Sequence, residues 1–351
     1  MRQVTNYQCP ACTGPLHFEE STGKLKCDYC ESSYTVEEIE TLFAEKNGQA
    51  EAAQPAPNEW GGDAAHMRAY SCPSCGAELI CEETTAATAC PYCGNRPVVP
   101  GQFGGTIKPD YVITFKVSKE TAVASLRKHY KGKLLLPKSF AAENHLQEIK
   151  GIYVPFWLFD AKAWADTQFK TTRSHTHRTR NERIITTDHF LVDRKGTVEF
   201  RRIPVDGASK MPDALMDAIE PFDYQGLQEF SMAYLPGFFA DKYDETAEEC
   251  RSRADDRCRA SAVQAMEDTV RGYESRVCVR SDVKLDMGQV KYALFPVWLL
   301  STRWKDKNYL FAMNGQTGRF IGDLPISWGK FAAWFAGIYG VLAALLALLL
   351  L

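Results

Sequence analysis

The chain lacks the short motifs by which several large enzyme classes are recognised. Its 351 residues contain no Walker A sequence, no Gly-x-Ser-x-Gly, no His-Glu-x-x-His and no Gly-x-Gly-x-x-Gly fingerprint. A helicase needs the first of these, because its phosphate-binding loop must precede a helix. We therefore expect a protein that is not an enzyme, with no catalytic residues and no organic cofactor.

Basic side chains are scarce in the N-terminal part of the chain. Residues 1–100 hold six Lys and Arg against fourteen Asp and Glu, whereas the net charge of the whole chain is only −3. Nucleic-acid affinity depends largely on Lys and Arg contacts to phosphates. The acidic balance therefore makes nucleic acid an unfavoured partner for this region.

Charged side chains are absent from residues 331–351, which also lack proline. A helix of this length, at about 1.5 Å per residue, is roughly 31 Å long and matches the hydrocarbon thickness of a bilayer. The run predicts one transmembrane helix at 331–351, with the lipid bilayer as a partner. Small residues four apart favour close contact between membrane helices, so we expect self-association or contact with another membrane helix. The row consists of Ala332, Ala336, Gly340 and Ala344.

The orientation of the span follows from the charges beside it. Arg319 and Lys330 precede the apolar run, and no charged residue follows. The positive-inside tendency then places the N-terminal bulk in the cytoplasm. The absence of an N-terminal signal peptide and the need for reduced thiols agree with this side. We expect a single-pass protein of the cell membrane.

Eight of the twelve cysteines form four Cys-x2-Cys pairs. The pairs come in two sets, each with fourteen residues between its members. One such turn directs two thiolates at one point, and a second at the end of a short hairpin completes a tetrahedral zinc site. We therefore predict two zinc ribbons that hold two structural Zn²⁺ ions. The ligands are Cys9, Cys12, Cys27 and Cys30 in the first and Cys72, Cys75, Cys90 and Cys93 in the second.

Four cysteine ligands leave no open position on the metal, so the zinc would shape the chain and not activate water. The alternative, structural or disulfide-bonded cysteines, fits secreted chains better. The pair Cys27-Asp-Tyr-Cys30 lacks the Pro and Gly of the other turns, so we expect weaker metal binding by the first ribbon. Cys81 lies between the pairs of the second ribbon, where we expect a buried apolar residue and not a fifth ligand.

The composition, 45% hydrophobic, allows a sizeable core and several domains. An Ala/Gln/Pro/Gly-rich linker and a Pro/Gly-rich exit from the second ribbon suggest ribbons that are appendages with some freedom. The predicted domains are zinc ribbon 1 with a short helix at 1–44, a linker at 45–65, zinc ribbon 2 at 66–100, an α+β body at 106–325 and the transmembrane helix at 331–351.

The α+β body contains two pairs of matching strings. Pro155-Phe-Trp157 matches Pro296-Val-Trp298, and Glu-Thr-Ala occurs at 120–122 and at 245–247. The sequence distance between the two members is not the same for the two pairs. This difference fits two copies of a strand-helix-strand unit whose helices have different lengths. Duplication and chance similarity both stay open at this point.

Further elements of the body follow from local signals. We predict a helix capped by Ser118, a long charged helix at about 244–271 and a tight hairpin turn at Asn314-Gly315. His175 and His177 would share one strand face. As a metal pair they lack a third ligand nearby, so an exposed hairpin tip is the preferred interpretation.

With these residues in place, the sequence resembles a bacterial family, the YdjG-type TFIIB-like zinc-ribbon membrane proteins of Bacillus relatives. Members are often labelled zinc-ribbon-containing protein or replication-restart helicase. The resemblance covers nearly the whole chain. It rests on ETTAAT at 83–88, KPDYVI at 108–113, EIKGIYVPFWLFDA at 148–161, PVDGASKM at 204–211 and FAMNGQTG at 311–318.

The resemblance implies a membrane-bound member of an envelope-stress complex, with phage-shock-protein-A-like and SPFH-like companions. Together with the closed metal sites, it favours a non-catalytic, membrane-anchored cytoplasmic adaptor that recruits or assembles protein partners. The alternative function is a zinc-ribbon nucleic-acid-binding protein tethered to the membrane, which fold analogy supports and charge opposes. An enzyme with an unrecognised site in the body is a third hypothesis.

Overall fold

The computed structural model describes residues 8–47, 60, 67–82, 90–93, 99–101, 107–138, 140, 149–179, 182–305 and 307–350. Most of the predicted linker at 45–65 and the string at 83–88 lie outside these residues. The described strands are β1 (Leu16–Glu19), β2 (Lys24–Cys27), β3 (Ser33–Tyr34), β4 (Met67–Ser71), β5 (Glu78–Glu82), β6 (Val99–Gly101), β7 (Tyr111–Ile113), β8 (Lys150–Arg178), β9 (Arg183–Asp206), β10 (Leu227–Glu229), β11 (Phe239–Asp241), β12 (Ser275–Trp304), β13 (Lys307–Asn314) and β14 (Phe320–Gly322). The described α-helices are α1 (Val36–Asn47), α2 (Lys119–Tyr130), α3 (Asp213–Ile219), α4 (Ala247–Asp268) and α5 (Trp328–Leu350).

The chain divides into two compact units. Unit 1 consists of Met1–Val154, Ala208–Lys242 and Leu294–Leu351, and unit 2 consists of Pro155–Gly207 and Tyr243–Ala293. The two long strands β8 and β12 contribute residues to both units. The predicted arrangement is confirmed at a coarse level: two four-cysteine clusters near the N-terminus, a body with a mixed sheet and one apolar C-terminal helix.

The first ribbon, in unit 1, has a small sheet of its own. Its antiparallel strands follow the order β1-β2-β3, and alternate side chains such as Phe18 and Leu25 are buried. Helix α1 begins with a capping box, in which Thr35 N–H donates to Glu38 Oε2 at 2.8 Å and Glu38 N–H donates to Thr35 Oγ1 at 3.2 Å. Buried Ile39 anchors this helix to the ribbon.

The second ribbon is part of the main sheet of unit 1. The strand order is β10-β7-β12-β8-β11-β5-β4-β6, with β13 and β14 continuing from β12. Strand β5 pairs with β11 in the register Ala240 to Ile80, and β11 is parallel to β8. The expectation that both ribbons are loosely attached is therefore wrong for the second. No local signal predicts this pairing, because β5 and β11 are about 160 residues apart in the chain.

An aromatic cluster fills the centre of unit 1. The Phe115 ring stacks on Phe238 with centroids 4.2 Å apart, and Tyr153 and Trp298 contact Phe115 edge-on. Helix α2 begins beside it, and its predicted cap is confirmed, since Thr121 N–H donates to Ser118 Oγ at 3.3 Å.

Unit 2 consists of a long hairpin, a helix packed on it and the first part of β12. Strands β8 and β9 pair antiparallel from Phe156 opposite Asp206 to Arg178 opposite Arg183. Helix α4 packs its small face on this hairpin, where Ala262 and Met266 meet Ala163 and Phe169. The buried residues of this helix are Cys250, Ala254, Cys258, Ala262 and Met266, so both cysteines are packing residues.

Each unit contains the same corner between a strand and a helix. In unit 2, Trp157 Nε1 donates to the carbonyl of Glu245 at 2.9 Å, one residue before the α4 cap Thr246. Gly207 N–H donates to Pro155 O, and Gly207 O accepts from the N–H of Glu245.

Unit 1 repeats this arrangement with different residues. Trp298 Nε1 donates to the carbonyl of Val117 at 2.8 Å, one residue before the α2 cap Ser118. Gly315 N–H donates to Pro296 O and Gly315 O accepts from the N–H of Val117. The matching Pro-x-Trp strings thus occupy equivalent positions in the two units.

Two sequence predictions need correction here. The Glu-Thr-Ala strings are not equivalent, because the first lies inside α2, after its cap, whereas Glu245 precedes the α4 cap. The turn after Asn314 is also not a two-residue turn. Asn314 N–H donates to Arg319 O, and it is Gly318 that has a positive φ, of 78°.

Candidate metal centres

The first quartet brings its four sulfurs to one point. Its Sγ atoms all lie within 4.8 Å of one another, with Cys9 to Cys30 and Cys12 to Cys27 both at 3.4 Å. Cys9 and Cys27 are buried, while Cys12 and Cys30 are exposed. The quartet consequently lies at the edge of the small sheet with one side open to solvent.

The backbone of each turn explains how two thiols converge. In the first turn Thr13 N–H donates to Cys9 O, and Cys9 N–H donates to Gly14 O, both at 2.8 Å. The residue after the second cysteine then has a positive φ, 63° at Thr13 and 59° at Glu31. These are uncommon conformations for side chains other than Gly, Asn or Asp.

The second quartet repeats this geometry, with a glycine at the position of positive φ. Cys72 to Cys93 and Cys75 to Cys90 are both 3.6 Å apart between Sγ atoms. Gly76 N–H donates to Cys72 O at 2.8 Å, and Gly76 takes the positive φ of 72° without a side-chain clash. Cys72 and Cys90 are buried, and the other two are half-buried.

These distances fit a metal ion held by four thiolates. Zn–S bonds of about 2.3 Å in tetrahedral geometry place sulfurs about 3.8 Å apart, whereas a disulfide bond is about 2.05 Å long. The observed separations of 3.4 and 3.6 Å agree with the first arrangement. A Cβ at Gly14 would lie 3.2 Å from Cys27 Sγ and 3.3 Å from Cys12 Sγ, so a side chain there would crowd the quartet.

The thiol pKa values show how closely the sulfurs interact. The Gly14 backbone lowers the pKa of Cys12, but the sulfurs of Cys30 and Cys27 raise it to about 12. Ser32, through its hydroxyl and then its N–H, lowers the pKa of Cys30 to about 6. Burial is the first cause that raises the pKa of Cys75 to about 11 and that of Cys90 well above its ordinary value. Deprotonation of all four thiols at one point would therefore need a cation to balance the charge.

The two quartets differ most at the tyrosine inside their second turns. Tyr29 is 78% exposed, whereas the equivalent Tyr92 is 5% exposed. The Tyr92 hydroxyl donates a short hydrogen bond to the Asp241 carboxylate on β11. Asn308 Nδ2 on β13 donates to Tyr92 O at 3.0 Å. Sequence reasoning missed both contacts, because neither Asp241 nor Asn308 is near the cysteines in the chain.

The remaining candidates are not part of these centres. Cys81 is buried, as expected. His175 and His177 lie on the exposed end of the unit 2 hairpin, and His175 Nε2 is 3.7 Å from Asp188. Among the described residues, the groups of three or more metal-ligating side chains are the two cysteine quartets alone. The eight predicted ligands therefore stay the candidates, and the identity of the metal stays a prediction.

The C-terminal helix is long and apolar enough to cross a membrane. Its qualifying stretch, Trp328–Ala347, has 20 residues and a mean hydropathy of 1.6, and none of it is buried. A soluble core helix of this composition would be covered by other elements. Exposed Trp328 and Trp334 lie near its start, as is usual at a membrane interface.

Comparison with known proteins gives one relative over the full length. The chain is 36% identical over 339 residues to "Uncharacterized protein YdjG" of Bacillus subtilis (strain 168), covering 96% of this chain and 95% of the relative. No family model matches the chain. No solved structure matches it. At this identity and coverage of both chains, the chain belongs to the YdjG family.

Proposed function

We propose that this chain is a non-catalytic adaptor, anchored in the cell membrane by α5, whose two zinc ribbons hold protein partners at the membrane. The observation that carries the proposal is the combination of two closed sulfur quartets with an exposed apolar C-terminal helix. The N-terminal bulk lies in the cytoplasm in this proposal, where thiols stay reduced.

Zinc is the metal that suits these centres best. Four thiolates in tetrahedral arrangement select zinc or iron among common metals, and zinc has no redox chemistry. With four protein ligands, zinc has no position for a substrate or water. The metal would then stabilise the TFIIB-like ribbon fold, and the ribbon surfaces would provide the function.

The first ribbon offers the more accessible surface for a protein partner. Tyr29 projects beside the open side of its quartet, and aromatic side chains are enriched at the centres of protein interfaces. Partners of the phage-shock-protein-A-like and SPFH-like classes are those that the family resemblance implies. They would meet the adaptor at the membrane surface.

The two equivalent strand-helix corners support a duplicated body. Each contains a Pro-x-Trp strand, a glycine that bridges strand and helix through its N–H and C=O, and a capped helix. Agreement in these three hydrogen bonds is stronger support than the matching sequence strings. We infer that the body arose from two copies of a strand-helix-strand unit.

The adaptor proposal is tested by co-purification in mild detergent followed by mass spectrometry. Tyr29→Ala leaves all eight cysteines in place, so we expect normal zinc content with the loss of at least one partner. Cys278→Ser, which removes a half-buried thiol outside both quartets, is the matched control and should change nothing. An unchanged partner list for Tyr29→Ala would contradict a role of the first ribbon.

The nucleic-acid alternative is tested with the same purified chain. Phosphate contacts make DNA binding steeply dependent on salt. Micromolar, salt-sensitive binding that disappears in Cys9→Ser/Cys12→Ser would replace the adaptor proposal. We expect no such binding, because acidic residues outnumber basic ones in residues 1–100.

Self-association of α5 is a separate proposal. A Cβ at Gly340 or at Gly337 would meet no atom of the chain itself within 4 Å. Gly340→Leu should therefore leave the helix intact but disrupt contact along the small-residue row, lowering detergent crosslinking severalfold. Gly337→Leu, which lies outside the row, is the control. Equal crosslinking of the two variants would show that the small-residue row is not an interface.

A further inference from the structure

A cavity of about 840 Å³ lies at the N-terminal end of α5, in unit 1. Four lysines from three segments contribute to its wall, together with three aromatic side chains, Trp304, Tyr309 and Trp328. The lysines are Lys138, Lys305, Lys307 and Lys330. This convergence is a property of the fold, because the segment that contains Lys138 is far in sequence from the other two.

The described wall of this cavity carries the positive charges of four lysines. No acidic side chain lines it among the described residues, and none of its four lysines forms an ion pair with a residue that the structure describes. Lys330 Nζ donates to Leu136 O at 2.6 Å, which leaves two of its three donors. Lys305 Nζ lies 4.7 Å from the Trp304 ring centroid.

The position of the cavity relates it to the apolar helix. Ser327 N–H donates to Leu135 O at 2.9 Å, which ties the start of α5 to the segment before Lys138. Beside the cavity, Leu134, Ile326 and Trp328 are all more than half exposed. Apolar side chains exposed at the start of a spanning helix belong at the level of the lipid headgroups.

We propose that this cavity binds the phosphate headgroup of an anionic phospholipid in the leaflet that α5 enters. The proposal rests on the proposed membrane anchoring, because only a spanning α5 brings lipid to the site. Lysine ammonium groups donate to phosphate oxygens, while the aromatic rings contact the glycerol and upper acyl region. General attraction of basic residues to an anionic surface needs no cavity, whereas a cavity lined by lysines from separate segments has room for a single headgroup.

The test uses the full chain in an uncharged detergent. Soluble dihexanoyl phosphatidylglycerol and dihexanoyl phosphatidylcholine are titrated separately, and bound lipid is counted by native mass spectrometry. We expect phosphatidylglycerol to bind at least tenfold more tightly. Equal binding of the two lipids would overturn the proposal. Displacement of phosphatidylglycerol by inorganic phosphate at an equal concentration would also overturn the proposal, because the site would then bind a free anion and not a lipid.

Charge-removal variants locate the site. Lys305→Gln/Lys307→Gln should weaken phosphatidylglycerol binding by about tenfold or more, since each lysine near an anionic surface contributes roughly a fivefold factor. Both side chains are exposed, so the fold is retained. Lys170→Gln/Lys284→Gln removes the same charge from exposed positions of unit 2 and should have no effect. Equal losses in both double variants would contradict a specific site.

Flotation with vesicles of phosphatidylcholine alone separates this inference from the anchor. A chain that floats with these vesicles but shows no lipid preference in the titration would overturn the headgroup proposal and leave the membrane anchoring in place. A chain that fails to float would contradict the membrane anchoring on which the proposal rests.

Discussion

The two cysteine quartets share their spacing and their sulfur geometry but differ in their surroundings. The first belongs to a three-stranded sheet of its own, and the second belongs to the main sheet of unit 1 through β5 and β11. The tyrosine in the second turn is exposed in one and buried in the other. The same motif thus has an exposed side in the first ribbon and is built into the main sheet in the second.

Under the proposed zinc binding, this difference predicts a different consequence for the loss of each ion. Loss of the first ion releases a small ribbon that has no strand pairing with the main sheet in the part of the chain that the structure describes. Its contacts with the rest of unit 1 include the edge-on pair of Phe18 and Tyr234. Loss of the second ion frees β4 and β5, and with them the edge of the sheet that β11 joins. Three pairs of variants test the comparison.

The largest effect is expected from the paired cysteine variants. Cys72→Ser/Cys75→Ser should lower the free energy of unfolding of unit 1 by several kcal/mol, because structural zinc contributes about 10–16 kcal/mol in zinc-finger peptides. Cys9→Ser/Cys12→Ser should unfold the first ribbon while the main sheet keeps its stability. Denaturant unfolding followed by amide hydrogen exchange resolves the two regions. Equal loss of protection in β5 for both variants would contradict the comparison.

A smaller effect should distinguish the two tyrosines. Tyr92→Phe removes a buried hydrogen bond to the Asp241 carboxylate, and bonds to charged groups contribute about 1.5–3 kcal/mol. Tyr29→Phe changes an exposed side chain, so its effect on stability should stay within about 0.5 kcal/mol. Urea denaturation of both variants measures the difference. A Tyr29→Phe loss as large as that of Tyr92→Phe would show that the first ribbon is also built into the body.

The smallest effect is expected at the residue after the second cysteine. Thr13→Gly should stabilise the metal-bound first ribbon by roughly 0.5–1 kcal/mol, because a β-branched side chain is strained at a φ of 63°. Gly76→Ala should weaken the second ribbon by a similar amount, since Gly76 has a φ of 72°. Competition with a zinc chelator measures both shifts. Weaker zinc retention by Thr13→Gly would show that the strain is absent.

The quartets could be predicted from sequence because their geometry is local. A Cys-x2-Cys turn and a short hairpin fix the ligands within 22 residues, and all eight sulfurs converge as the spacing predicts. The helix caps Thr35 and Ser118 are local in the same way. The eight candidate ligands can thus be identified without knowledge of the fold.

The environment of the quartets could not be predicted, because it depends on pairing between distant segments. Nothing near Cys90 indicates that Tyr92 would meet Asp241 on β11. The body shows the same limit. The Pro-x-Trp strings marked equivalent corners, whereas the Glu-Thr-Ala strings fall at different positions relative to the helix caps. A three-letter match is too short to show which residues of the two units are equivalent. The hydrogen bonds around Gly207 and Gly315 show this equivalence.

The central claim, that two separate quartets each hold one structural ion, is tested most directly by the zinc content of the purified full-length chain. We predict two zinc ions per wild-type chain, and one in each of Cys9→Ser/Cys12→Ser and Cys72→Ser/Cys75→Ser. Absence of bound zinc in the wild type, or loss of both ions in either double variant, would contradict the account.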